Sequence, residues 1–224
     1  MFKLEKIVPW GRSFDEYVRM FAFSEKDLEK RILSCADGPA GFNAGMKKLG
    51  YRVISCDPLY RLSAAQIKKA ITESFDKVME QSIANKKNFI WKNIKSPEEL
   101  GHIRMLAMSE FLKDFDTGKK EGRYLPESLP VLTFPDKHFD LAVCSHFLFL
   151  YSACLNLDFH LQAITEMSRL AGEVRIFPLL DLDGNESPYV NPVIAELKKL
   201  GYKPRVRRVK YEFQRGGNKM LQIK

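Results

Sequence analysis

The order of apolar and polar positions along the chain reads as helices alternating with strands. Phe14, Tyr17, Val18 and Phe21 recur at helical spacing, and Ser24 with Asp27 three residues on is a second helix-start signal. Residues 1–30 are therefore predicted to be a helical lead-in. The run from Arg31 to Cys35 predicts a strand. It is followed by the small-residue loop Ala36-Asp37-Gly38-Pro39-Ala40-Gly41 and a helix closed by Gly50. Tyr51 to Cys56 supplies the next strand, and Asp57-Pro58 stops it, because proline lacks a donor and pushes its predecessor out of helical geometry.

Ser63 with Gln66 starts a helix whose Ile67, Ile71, Phe75 and Val78 share one face, and Ser96-Pro97-Glu98-Glu99 opens another. About sixty residues separate the second strand from the next plausible one, roughly twice what a crossover helix needs. The excess predicts a helical insertion over residues 61–116, placed to cover a pocket and ended by Thr117–Gly122. Phe139 to Ser145 is a continuous apolar strand of the kind covered on both faces. A helix from Asp158 to Leu170 closed by Gly172 follows, then a strand from Glu173 to Leu180. A further helix runs from Asn191 as cap, with Pro192 in its first turn, to Gly201. Strands over 203–213 and 218–223 flank the hairpin signal Arg215-Gly216-Gly217. The alternation predicts one α/β domain spanning 1–224, with a mostly parallel sheet, helices on both faces and an antiparallel strand at one edge. Ligands of such sheets lie beyond the carboxyl ends of the strands, so the residues directly after each strand carry the chemistry.

Composition narrows the classes. A 45% hydrophobic content over 224 residues is ordinary for a globular core. Cys35, Cys56, Cys144 and Cys154 form no CxxC pair and sit in or beside apolar runs, so all four are expected reduced and buried. The first residues lack the apolar stretch of a signal peptide. The longest apolar segment, Leu141 to Leu155, is short for a membrane span and contains Ser145, His146 and Ser152. A cytoplasmic location without a membrane role is expected. The net charge of +8 is spread along the chain, and its densest cluster is Lys203, Arg205, Arg207, Arg208, Lys210 and Arg215 on the closing hairpin. That cluster can track nucleic-acid phosphates, or it can protect a sheet edge from aggregation. No His, Cys and carboxylate cluster has metal-ligand spacing, and no nucleophile elbow is present, so neither a metal nor hydrolysis is expected.

Ile32-Leu33-Ser34-Cys35-Ala36-Asp37-Gly38-Pro39-Ala40-Gly41-Phe42, followed by Asp57, resembles the first two motifs of class I S-adenosylmethionine-dependent methyltransferases. Ala36-x-Gly38-x-x-Gly41 with an acid about twenty residues later also approximates the dinucleotide fingerprint, which keeps an NAD- or FAD-linked oxidoreductase as an alternative. The stretch from Leu132 through Phe134-Pro135-Asp136 and Phe139-Asp140 to His146 resembles the approach to the fourth strand in small-molecule-type members of that family. The resemblance covers most of residues 31–224. It implies a Rossmann-like, doubly wound sheet of seven strands with the insertion between strands 2 and 3. It also implies S-adenosylmethionine as cofactor and in-line methyl transfer to an acceptor, expected to be a small molecule, with an RNA methyltransferase as an alternative.

The implied cofactor contacts are Ala36, Asp37, Gly38 and Pro39 in the loop, Asp57 accepting the ribose hydroxyls with Pro58 beside it, and Ser128 and Leu129 framing the adenine. Cys144, Ser145 and His146 form the wall after the fourth strand, and Arg12 offers a guanidinium to the cofactor carboxylate or is a plain surface arginine. His146 is the catalytic candidate, a neutral imidazole able to take a proton from an attacking group, or else an adenosine contact. The family places an acid where Ser34 stands and glycines where Ala36 and Ala40 stand, and alanine fits there only where φ stays negative. Asp37 reads either as the compensating carboxylate or as a solvated turn residue capping the next helix. These departures leave a non-catalytic S-adenosylmethionine-binding protein as a third alternative. Tyr17 and Tyr60 line the pocket or fill core, and Asp181 and Asp183 meet substrate or solvate their loop. Ser145-His146-Phe147-Leu148 replaces the Asn/Asp-Pro-Pro-aromatic motif of amino-directed members, and no Pro-Cys nucleophile is present, so adenine-N6 and cytosine-C5 acceptors are disfavoured.

Overall fold

Seven strands form one sheet among the residues that the computed structural model describes, 8–224, and the first seven positions of the expected lead-in lie outside them. The strands are β1 (Ile32–Cys35), β2 (Val53–Cys56), β3 (Tyr124–Leu125), β4 (Phe139–Ser145), β5 (Ala171–Phe177), β6 (Arg205–Arg208) and β7 (Lys219–Ile223). Their spatial order is β3-β2-β1-β4-β5-β7-β6, with β7 antiparallel to both its neighbours and the other pairs parallel. This is the Rossmann-like α/β arrangement that the resemblance implies. The chain works outward from β1 in one direction and resumes at β4 in the other, so the crevice between β1 and β4 is the topological switch point.

Helices cover both faces. α1 (Phe14–Met20), α2 (Glu25–Leu28) and α3 (Phe42–Lys48) lie on one side, where Tyr17 and Phe42 stack with centroids 4.6 Å apart and Phe23 stacks on Phe42. α6 (Leu157–Leu170) and α7 (Val190–Lys199) bury Ile164, Met167, Val193 and Leu197 against the other face. Between β2 and β3 run α4 (Ala64–Ala84) and α5 (Pro97–Lys120), which enclose a third cluster of Tyr60, Phe111, Phe115 and Tyr124. Each such ring pair adds about 0.5–1.5 kcal/mol beyond burial. Among the described residues no helix is long and apolar enough to cross a membrane.

Several sequence expectations need correction. The antiparallel strand is not at the edge: β7 is buried between β5 and β6, and the exposed edge is β6. The expected strand over 203–213 ends at Arg208, because Tyr211 turns inward to Glu16 and the Phe213 carbonyl accepts the Ile90 amide. α5 continues to Lys120 through Gly118, where a Cβ would lie 2.5 Å from the Tyr124 ring, so this glycine permits close packing and Gly122, at φ +73, makes the turn. Gly172 does not close α6 but lies inside β5, which starts at Ala171. Lys137 supplies the missing helix terminus by donating to the Ser168 and Ala171 carbonyls. Asn191 is not a cap, since α7 already begins at Val190. Cys154 is exposed, while Cys35, Cys56 and Cys144 are buried free thiols.

Candidate active site

β1 pairs with β2 on one side and β4 on the other, so the loop after Cys35 sits at the carboxyl ends of three strands. The Ala36 amide donates to the Cys56 carbonyl, and Ala36 and Gly38 both adopt left-handed backbone, at φ +53 and φ +54. Ala36 thus does not meet the condition of negative φ. A left-handed alanine costs about 1–2 kcal/mol, a strain of the kind held at functional sites.

Asp37 turns inward instead of capping α3 in solvent. Its Oδ1 accepts hydroxyl protons from Tyr17 and Ser34, and its Oδ2 accepts from Ser55 at 2.7 Å. Burial pushes its carboxyl up, and the three hydroxyls oppose that rise. Ser34, where the resemblance leads one to expect an acid, thus holds the Asp37 carboxylate of the loop. At the end of β2, Asp57 Oδ2 accepts the Gly38 amide at 2.9 Å and Oδ1 accepts the Leu59 amide at 2.8 Å. Burial pushes the Asp57 carboxyl up to about 6. Each oxygen retains a lone pair, and Tyr60, donating to the Gly38 carbonyl at 2.7 Å, braces the loop from the core.

These residues open into a cavity of about 580 Å³, inside the roughly 300–1,000 Å³ usual for small-ligand sites. The structure brings Arg12, Ala36, Asp37, Gly38, Pro39, Asp57, Pro58, Ser128, Leu129, Ser145 and His146 to its walls, together with Tyr17. Cys144 is not among them: its side chain points into the core, packed with the face that α6 and α7 cover. Tyr60 is core, and Asp181 folds onto its own loop by accepting the Asp183 and Asn185 amides. From the insertion, Val78, Ser82, Leu100 and Arg104 also face the cavity.

The residues that sequence reasoning missed are Glu16, Arg104 and Tyr211. Both nitrogens of the Arg104 fork donate to Glu16, whose Oε1 also accepts the Tyr211 hydroxyl at 2.8 Å, all of it buried. One signal was present. Arg104 falls on the apolar stripe Leu100, Met108, Phe111 and Phe115 of α5, where a charge demands a partner. Arg12 stands beside this pair, and its burial, with the Arg104 charge, lowers its guanidinium to about 10, so it stays protonated at neutral pH.

His146 holds a left-handed backbone at φ +51, with its amide donating to the Phe177 carbonyl. Its Nδ1 is 2.8 Å from Ser145 Oγ, and the imidazole tautomer sets which of the two donates. With the ring proton on Nδ1, Ser145 accepts it and Nε2 is left as an acceptor. Burial, with the charges of Arg12 and Arg104, holds the imidazole well below its usual range and therefore neutral.

No family model matches the chain. It is 36% identical over 223 residues to the uncharacterized protein MJ0045 of Methanocaldococcus jannaschii, covering 99% of this chain and 97% of that protein. The chain belongs to the family of that archaeal protein. Solved structures similar to this member of the MJ0045 family include magnesium protoporphyrin IX methyltransferase of Synechocystis with S-adenosylmethionine bound, at 11% identity and a TM-score of 0.49 over 94% of this chain and 76% of that one. A TehB-like S-adenosylmethionine-dependent methyltransferase of Corynebacterium glutamicum is similar at 14% identity and a TM-score of 0.49, over 93% and 85% of the two chains.

Proposed function

We propose that this chain is an S-adenosylmethionine-dependent methyltransferase acting on a small molecule in the cytoplasm. The observation that carries the reading is Asp57, a desolvated carboxylate oriented by the Gly38 and Leu59 amides at the rim of the switch-point cavity. Its free lone pairs suit the two ribose hydroxyls of an adenosyl group. The loop fits as well: no atom lies within 4 Å of where a Gly38 Cβ would sit, so the backbone is open to a ligand. Pro58, Ser128 and Leu129 suit the adenine, and the acids Asp37 and Asp57 make this end of the cavity favourable to a cation. When bound, the cofactor supplies a methyl group already activated on a sulfonium.

The protein then needs to align the acceptor and manage one proton. His146 Nε2 suits the removal of that proton from an attacking hydroxyl or amine. The helices α4 and α5 act as cover, in one domain with the sheet, and a cavity of about 580 Å³ favours a small acceptor over RNA. Three buried free thiols suit a reducing compartment. A dinucleotide is disfavoured, because its pyrophosphate needs the amides at the start of α3. The Gly41 amide there already donates to the Arg12 carbonyl, and Gly11 lies so close over the loop that a Cβ would be 2.0 Å from the Pro39 carbonyl oxygen.

Isothermal titration is expected to show S-adenosylhomocysteine binding to the folded chain and no binding of NAD or FAD. A folded protein that ignores S-adenosylhomocysteine would end this reading. Nitrogen NMR of the His146 ring is expected to find its proton on Nδ1 and the ring still neutral where an ordinary imidazole titrates. A proton on Nε2 would remove His146 from the role of base.

A further inference from the structure

We propose that the end of the cavity beyond β1 from Asp57 is an anion subsite centred on Arg12, and that the methyl acceptor is a flat apolar molecule carrying a carboxylate-type group. The inference rests on the methyltransferase reading for the word acceptor, but the subsite itself rests on charge and packing.

Two guanidiniums, Arg12 and Arg104, reach the cavity wall, and the Glu16 carboxylate interacts with both. Glu16 is fully engaged, since each of its oxygens receives an Arg104 nitrogen, and Tyr211 and the Ser13 amide add two more donors. Arg104 therefore takes the paired hydrogen bonds of that carboxylate, and Arg12 feels its charge without bonding to it. Among the described residues Arg12 donates only to the Trp10 carbonyl, at 2.9 Å, its buried Nε has no partner and it forms no ion pair. A half-buried cation without an ion-pair partner is costly, and the planar fork of arginine matches a carboxylate with two parallel hydrogen bonds.

The surroundings of Arg12 say what accompanies that anion. Trp10, Phe147, Phe177, Tyr211 and Phe213 line the same cavity, an aromatic wall suited to a flat apolar body. His146 and Tyr211, which share the electrostatic environment of Arg12, come from the β4 end and from the segment after β6. Both belong to the side of the sheet away from β2 and Asp57. The anion is thus placed beside His146, where an acceptor lies, and across β1 from Asp57. An anionic acceptor also restores charge balance around Arg12 while the cation occupies the acidic end, so the two ligands are expected to bind cooperatively.

Equilibrium titration of the full chain with 2-naphthoate and with the uncharged 2-naphthalenemethanol, each with saturating S-adenosylhomocysteine, tests the subsite. Naphthoate is expected to bind at least roughly tenfold more tightly, as one charge-assisted contact implies. Arg12→Gln is expected to abolish that preference and Arg12→Lys to keep part of it. Equal binding of the two naphthalenes by the unmodified protein, or binding of neither, overturns the proposal without any variant. The cofactor carboxylate is the competing source of the anion, and comparison of S-adenosylhomocysteine with 5′-methylthioadenosine separates it. If Arg12→Gln erases the preference for S-adenosylhomocysteine, the guanidinium belongs to the cofactor and the acceptor assignment falls. A chain that prefers naphthoate yet binds no S-adenosylhomocysteine refutes the methyltransferase reading and leaves the anion subsite standing.

Discussion

Glu16→Ala is expected to lower folding stability by about 3–5 kcal/mol, read as a shift of the urea midpoint at unchanged slope. The variant strands the Arg104 guanidinium, 1% exposed, near Arg12, so two like charges are left without the carboxylate that both feel. It also leaves the Tyr211 hydroxyl without its acceptor. The same pair predicts an acid response of known sign. Burial works to raise the Glu16 carboxyl, but Arg104 overrides it and holds the group at about 2, against an ordinary 4.5. A depressed folded value means that the stabilisation is complete above the ordinary range and is lost as pH falls from 4.5 through 2. A loss below about 1 kcal/mol in the alanine variant would mean that Arg104 finds another partner, and the ionic description of this site would then be wrong.

Asp57→Asn is expected to weaken S-adenosylhomocysteine binding by at least about 1.5 kcal/mol, more than tenfold, because hydrogen bonds to a charged acceptor are replaced by weaker ones. The pH profile supplies a second readout. With its carboxyl raised to about 6, Asp57 becomes protonated within an accessible range, and affinity of the unmodified chain is expected to fall as pH drops through that value. For the free protein the sign is opposite: a raised folded value makes the ionised carboxylate destabilising above pH 6, a cost relieved on acidification. The asparagine variant is expected to bind weakly and without that inflection. Tight, pH-independent binding in both proteins would place the adenosyl group elsewhere.

Local chemistry was legible in the sequence, and long-range chemistry was not. β4 matches its expected bounds, because an unbroken apolar run entered by Asp140 and left by polar residues admits few other readings. The loop after β1 and Asp57 were visible because the backbone order itself brings adjacent strand ends together. The position of β7 was invisible, since nothing local in a hairpin says which of its strands faces β5. Asp37 was ambiguous for a similar reason. Whether a turn aspartate faces water or core depends on Tyr17 and Ser55, each well separated from it in the chain. The Glu16 cluster joins residues 88 and 195 positions apart, and only the break in the apolar stripe of α5 hinted at it.

The sheet order has a consequence for how the chain is assembled. β6 precedes β7 in synthesis, yet its hydrogen-bonding partner in the sheet is β7, so β6 emerges from the ribosome before there is anything for it to join. During that interval both β6 and the open flank of β5 are bare templates for a neighbouring nascent chain. Arg205, Arg207 and Arg208 make the waiting segment repel its own copies, so the same positive charges that mark the finished edge also guard the unfinished one.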